Sequence, residues 1–137
     1  MKNILLLSVL VICSQYLYGQ KKVYSNMELH YVDFDIVTYM KIECSDFENH
    51  FVNQKDTLIN NCRSTLDKLE ELIYKLKPCS KQITPDVRAK MYLTRNSGEV
   101  DTLCINSNWV LYSNKLFVAN KPFIKFIKQL EMKKRIK

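Results

Sequence analysis

Residues 62 to 78 read CRSTLDKLEELIYKLKP, and they constrain the fold more than any other stretch. Leu66, Leu69, Ile73 and Leu76 recur at helical spacing, Cys62 sits one turn earlier, and charges fill the other positions. A helix with one apolar stripe has to bury that stripe against another layer. Pro78 stops it. Its start admits two readings. Either Asn60 or Asn61 caps it and KDTLIN is a short extended piece, or the helix begins near Asp56.

The partner layer follows in the chain. DVRAKMYLTR reads as a strand running into the turn NSG, where Gly98 supplies the positive φ of a tight hairpin. EVDTLCIN returns, and VLYSNKLFVAN reads as a further hairpin around Ser113, Asn114 and Lys115. That makes a meander of three or four strands. NKPFIKFIKQLEMKKRI closes the chain as a helix, with Pro122 as its start signal and Phe123, Ile127 and Leu130 as its apolar stripe, widened by Ile124 and Phe126.

Ahead of the long helix, DFDIVTYMKIEC alternates from Ile36 onward. Ile36, Met40, Ile42 and Cys44 share one face, and Val37, Tyr39, Lys41 and Glu43 the other, which predicts a strand. SDFE comes next. Ser45 followed by Glu48 three residues later has the form of a capping box, and Phe47 and Phe51 lie four apart on one helical face. The order of elements predicts an α+β domain over 36–137. Its antiparallel sheet has about four strands, with the long amphipathic helix and the C-terminal helix on one face. Residues 20–35 are expected to be an N-terminal extension.

Residues 1–19 read as a leader. Met1-Lys2-Asn3 is a short positive start, ILLLSVLVIC is an apolar run too short to span a bilayer, and SQYLYG is a polar exit with a cut expected before Gln20. Lipidation at Cys13 is disfavoured, because Ile12 is not the small residue a lipobox requires. The expectation is export, periplasmic or secreted. After cleavage four cysteines remain: Cys44, Cys62, Cys79 and Cys104. An even number in a small exported chain predicts disulfides. A helix from Cys62 to Lys77 would separate Cys62 from Cys79 by more than roughly 20 Å, and a bridge needs Cα atoms within about 7 Å. The open sets are Cys44–Cys62 with Cys79–Cys104, Cys44–Cys79 with Cys62–Cys104, or Cys44–Cys104 alone.

The succession IECSDFE, long amphipathic helix, DVRAKMYL, DTLCI, strand pair and final amphipathic helix, over about residues 36 to 130, resembles small exported proteins of unknown function common in Bacteroidota. The resemblance implies export and architecture and lends no activity. Because Cys44 and Cys104 lie in the segments that carry it, it favours their pairing alone. Cys62 would then be a small core residue, and Cys62 and Cys79 are the less certain candidates.

Several chemistries lose their support. Beyond the leader the chain has one glycine, Gly98, so no loop cradles a phosphate. His30 and His50 are its only histidines, with no pair at metal-binding spacing, and Asp33 and Asp35 lack the calcium-loop pattern. No metal and no cofactor are expected. A thiol nucleophile at Cys44 or Cys104, served by a histidine such as His50 or by a carboxylate, is the enzymatic alternative. A proteinaceous inhibitor of a secreted enzyme that presents a hairpin is another.

Charge points to a partner. From Gln20 to Asn120 the chain carries thirteen basic and thirteen acidic residues; from Lys121 to Lys137 it carries seven basic and one acidic. Lys121, Lys125, Lys128 and Arg135 fall on one side of the last helix, and Lys133, Lys134 and Lys137 add charge at its end. A basic amphipathic helix can lie on anionic lipid or bind an acidic protein. Trp109, Tyr112 and Phe117 are clustered aromatics of the last hairpin, read as core unless exposed for recognition. No stacking motif for nucleic acid accompanies the charge. The leading expectation is a non-enzymatic exported domain that binds a protein or envelope component.

Overall fold

A computed structural model describes residues 23 to 135. In chain order its elements are β1 (Tyr24–Tyr31), α1 (Phe47–His50), β2 (Asp56–Asn60), α2 (Arg63–Tyr74), β3 (Lys77–Pro78), β4 (Ala89–Arg95), β5 (Val100–Ile105), β6 (Trp109–Tyr112), β7 (Lys115–Val118) and α3 (Lys121–Arg135). The strands form one antiparallel sheet in the order β2-β1-β4-β5-β6-β7-β3. The fold is α+β as the sequence predicts, with seven strands in place of about four.

The meander from β4 to β7 follows the predicted turns. Gly98 takes φ +91° between β4 and β5. Ser113 and Asn114 take φ 49° and 58° between β6 and β7. Two successive left-handed residues give a two-residue turn whose twist matches that of the flanking strands. The late start of the long helix is the one observed. Asp56–Asn60 is extended as β2, and Asn60 Oδ1 accepts the Cys62 N–H at 2.8 Å. Among α2's apolar residues Leu66, Leu69 and Leu72 are buried, while Ile73 is only partly so. Leu76 is buried just beyond the helix end.

Two expectations are corrected. Residues 20–35 are not an extension ahead of the domain, since β1 lies within them and is flanked by β2 and β4. Met27, Leu29 and Tyr31 of β1 alternate with Glu28 and His30, a period of two that fits a strand. Conversely, DFDIVTYMKIEC is not a strand. Val32 to Lys55 is an excursion between β1 and β2 whose only regular element is α1. Both sides of β1 are already occupied, and the stretch instead packs on the second face of the sheet, where it buries Ile42. Its backbone pairs with the rest of the chain at Ile42, whose N–H donates to Asp86 Oδ1 and whose carbonyl accepts the Val87 N–H, both at 2.8 Å, and side chains hold it at Thr38 and Cys44.

The sheet is covered on both faces. On the first face α2 and α3 bury Leu66, Leu69, Phe123, Ile127 and Leu130 against Met27, Leu29, Met91, Leu93, Leu103 and Ile105. Each such side chain contributes roughly 1.5–3 kcal/mol when fully withdrawn from water. On the second face the 32–55 excursion buries Ile42, Phe47 and Phe51 against Val32, Val87 and Cys104. The Phe47 and Phe51 rings touch at 5.3 Å, as their spacing of four predicts. A disulfide between Cys44 and Cys104 fastens the excursion to β5.

Candidate binding site on the C-terminal helix

Asn120 starts α3. Its Oδ1 accepts the Phe123 N–H at 2.9 Å, and Pro122 needs no donor partner in the first turn. Phe123, Ile127 and Leu130 then face the core, so residues offset around the helix face outward. Lys121, Lys125, Lys128 and Met132 follow the same spacing of four, three and four along the exposed side. Together with Ile124 and Gln129 they line a groove of about 460 Å³, closed on its far side by Ser107 of the β5–β6 turn and Ala119 after β7. Its volume falls in the range of roughly 300–1,000 Å³ typical of ligand sites.

The floor of this groove is apolar and its rim is cationic. Among the described residues no carboxylate lines it. Among the described residues none of its three lysines ion-pairs with a carboxylate, whereas Lys55, Lys68 and Lys75 each do. Lys128 Nζ lies over the Phe34 ring, 5.5 Å from its centre. Three flexible ammonium groups around apolar side chains can hold an anionic group that carries hydrocarbon.

Of the other sequence-predicted surface residues, Lys133 is exposed next to the groove. The side chains of Lys134 and Arg135, like Lys137, lie outside the described part. Trp109 and Tyr112 are not brought together. Strand alternation sends them to opposite faces of the sheet. Trp109 is half-buried with Lys81 Nζ 6.0 Å from its ring centre. Tyr112 instead turns to the helix side, tilted against Phe117 at 6.4 Å. There Asp101 Oδ2 accepts hydrogen bonds from the Tyr24 hydroxyl at 2.7 Å, the Tyr112 hydroxyl at 3.0 Å and Arg95 Nε at 2.9 Å. Burial acts to raise the Asp101 pKa, and these donors more than offset it, so the group titrates below its usual range.

The sequence reading did not foresee a second polar cluster, on the other face of the sheet. His30 Nε2 lies 2.7 Å from Glu28 Oε1, and its Nδ1 lies 2.7 Å from Glu48 Oε1. The Tyr92 hydroxyl donates to the same Glu48 oxygen at 2.9 Å, and Lys55 Nζ donates to Glu48 Oε2. Glu48 therefore does not close a capping box with Ser45. Asp46 is the N-cap residue of α1, with no side-chain cap, and the Glu48 carboxylate is drawn to the sheet. Burial alone would raise the Glu48 pKa, but Lys55, His30 and Tyr92 hold it down to about 2. Burial and the nearby Glu48 charge push the Tyr92 hydroxyl up. Both ring nitrogens of His30 are engaged by carboxylates. His30 thus has no ring nitrogen open to a substrate.

The cysteines divide into two kinds. Cys44 and Cys104 are bonded to each other, with Cα atoms 5.7 Å apart, the pairing favoured by the resemblance. Neither sulfur is then a nucleophile, and His50 is exposed with its ring edge-on to Phe51 at 4.8 Å. A disulfide is compatible with an oxidising compartment. Cys62 and Cys79 are free thiols. Cys62 is exposed at the N-cap of α2 and not a core residue. The Ser64 hydroxyl and the Thr65 and Ser64 amides lower its pKa. Among the described residues no group of His, Cys, Asp and Glu is arranged to hold a metal ion, and no helix is long and apolar enough to cross a membrane. No protein-family model, curated protein or solved structure matches the chain.

Proposed function

We propose that this chain is an exported, non-enzymatic binding domain that attaches to an anionic component of the cell envelope through α3. The observation that carries the reading is the groove on that helix: Lys121, Lys125 and Lys128 surround an apolar floor and lack carboxylate partners among the described residues. At Glu48 and Asp101, by contrast, charges are neutralised within the domain. The disulfide and the apolar leader sequence both favour export.

Each lysine near an anionic surface contributes about 1 kcal/mol. Changing all three to serine should therefore weaken binding by on the order of 100-fold. The test is sedimentation of the exported protein with phosphatidylglycerol vesicles and with phosphatidylcholine vesicles, at low and high salt. Binding to the first alone, lost in salt and in the lysine variant, supports the reading. Equal partition to both vesicle types, or none to either, removes it.

A further inference from the structure

The excursion between β1 and β2 carries three large apolar side chains in water. Val37 is 92% exposed, Tyr39 111% and Met40 66%. Exposed apolar residues on a loosely held loop would mean little. Here the loop is tied down on every side. The buried Arg88 guanidinium makes paired contacts with Asp86 at 2.8 and 2.7 Å, donates to the Val87 carbonyl at 2.9 Å, and donates from Nη2 to Thr38 Oγ1 at 3.2 Å. The Thr38 hydroxyl in turn donates to the Met40 carbonyl at 2.7 Å. Asp33 closes the near side, its Oδ1 accepting from the Asp35 N–H and its carbonyl from the Ile36 N–H. On the far side Ile42 is buried and Cys44 is bonded to Cys104. The side chains that point outward are thus presented by a backbone already in place.

The same loop reaches α3. Phe34 belongs to the main core, and its ring is the one beneath Lys128. Strand register puts the end of β1, the start of β4, the end of β5 and the end of β7 at one end of the sheet. The loop leaves from that end, the β5–β6 turn with Ser107 caps it, and α3 begins there. Val37 follows Phe34 by three residues, at most about 11 Å of backbone. The apolar tip and the cationic groove therefore lie at the same end of the sheet.

We propose that Val37, Tyr39 and Met40 insert into the interfacial zone of an anionic bilayer while the lysines of α3 meet its headgroups. The inference rests on the function proposed above and adds its hydrophobic half. Charge attraction or a short apolar wedge alone gives weak, reversible attachment, and the two together give firm attachment. Tyrosine suits the headgroup level, with an apolar ring and a polar tip. A loop fixed beforehand loses little conformational freedom on insertion.

The test uses exported protein with its disulfide intact and phosphatidylglycerol–phosphatidylcholine vesicles. A Val37→Ser, Tyr39→Ser, Met40→Ser variant should bind on the order of 10- to 100-fold more weakly, with an unchanged thermal midpoint. The fluorescence of a Tyr39→Trp variant should be quenched by lipids brominated near the top of the acyl chain, beyond the background of the single native tryptophan, Trp109. If the serine variant binds like the original and the Tyr39→Trp variant shows only that background, while the lysine variant of α3 still loses binding, the insertion is refuted and the attachment through α3 stands. The loop would then be a surface for a protein cleft. If the unaltered protein ignores anionic vesicles, insertion and attachment both fail.

Discussion

Two regions of this molecule concentrate charge, and they treat it in opposite ways. On the second face of the sheet Glu28, His30, Glu48, Lys55 and Tyr92 converge, and each finds its counterpart inside the domain. On α3 the lysines of the groove find no carboxylate among the described residues. The first region uses charge to hold the 32–55 excursion and α1 on the sheet. The second leaves charge available to something outside. The difference teaches that net charge is a poor guide to a binding surface, and the absence of internal partners a better one.

The comparison can be broken or sharpened in four ways. The largest effect should come from the excursion's covalent tie. Replacing Cys44 and Cys104 together by alanine opens a loop of sequence separation 60. It should lower stability by about 4 kcal/mol in a urea titration, with vesicle binding through α3 retained in the folded fraction. A loss below about 1 kcal/mol would show that Phe47 and Phe51 hold the excursion without it.

Next comes Glu48→Ala, which strips His30, Lys55 and Tyr92 of a shared acceptor in a half-buried site. The expected cost is roughly 2–3 kcal/mol, read by the same titration. Indifference to this change would reduce the cluster to a surface feature. The pH dependence follows. The Glu48 pKa is depressed to about 2 when folded, and Asp86 and Asp101 are also shifted downward. A depressed carboxylate binds its proton more readily when unfolded, so its contribution is whole above the unfolded value and fades as pH falls toward the folded one. The thermal midpoint should hold steady from neutral pH to about 5 and fall between about 4.5 and 2, with a shallower fall in Glu48→Gln. A midpoint insensitive to acid would contradict the ion pairs drawn here. The smallest effect is reserved for α3: Lys125→Ser should change stability by no more than about 0.5 kcal/mol. A larger loss would mean that the lysines serve the fold and are not spare.

What the sequence disclosed follows from the range of the forces involved. The β4–β7 meander, its two turns, α2 and α3 are set by periodicity and by turn residues such as Gly98 and Asn114, which act over a few positions. The groove's lysines were legible for the same reason, since one helix carries them. The alternation at 24–31 is less apolar than that of DFDIVTYMKIEC, so local pattern favours the wrong stretch. Which of two alternating stretches joins the sheet depends on neighbours far along the chain, here β2 and β4. Local pattern also failed at Glu48. Ser45 and Glu48 have the spacing of a capping box, but the carboxylate gains more from a cation, an imidazole and a phenol brought in by other elements. The exposed tip at Val37–Met40 could not be told from a strand face until the buried Arg88 was seen to hold it.

The two free thiols follow edge strands at opposite sides of the sheet, Cys62 after β2 and Cys79 after β3. Six strand spacings separate those edges, on the order of 29 Å. At that separation Cys62 and Cys79 cannot bond to each other within one folded chain. Probes attached there would also form a ruler across the whole width of the sheet. A distance measured between them would read twist and opening of the fold directly, without touching the groove or the loop.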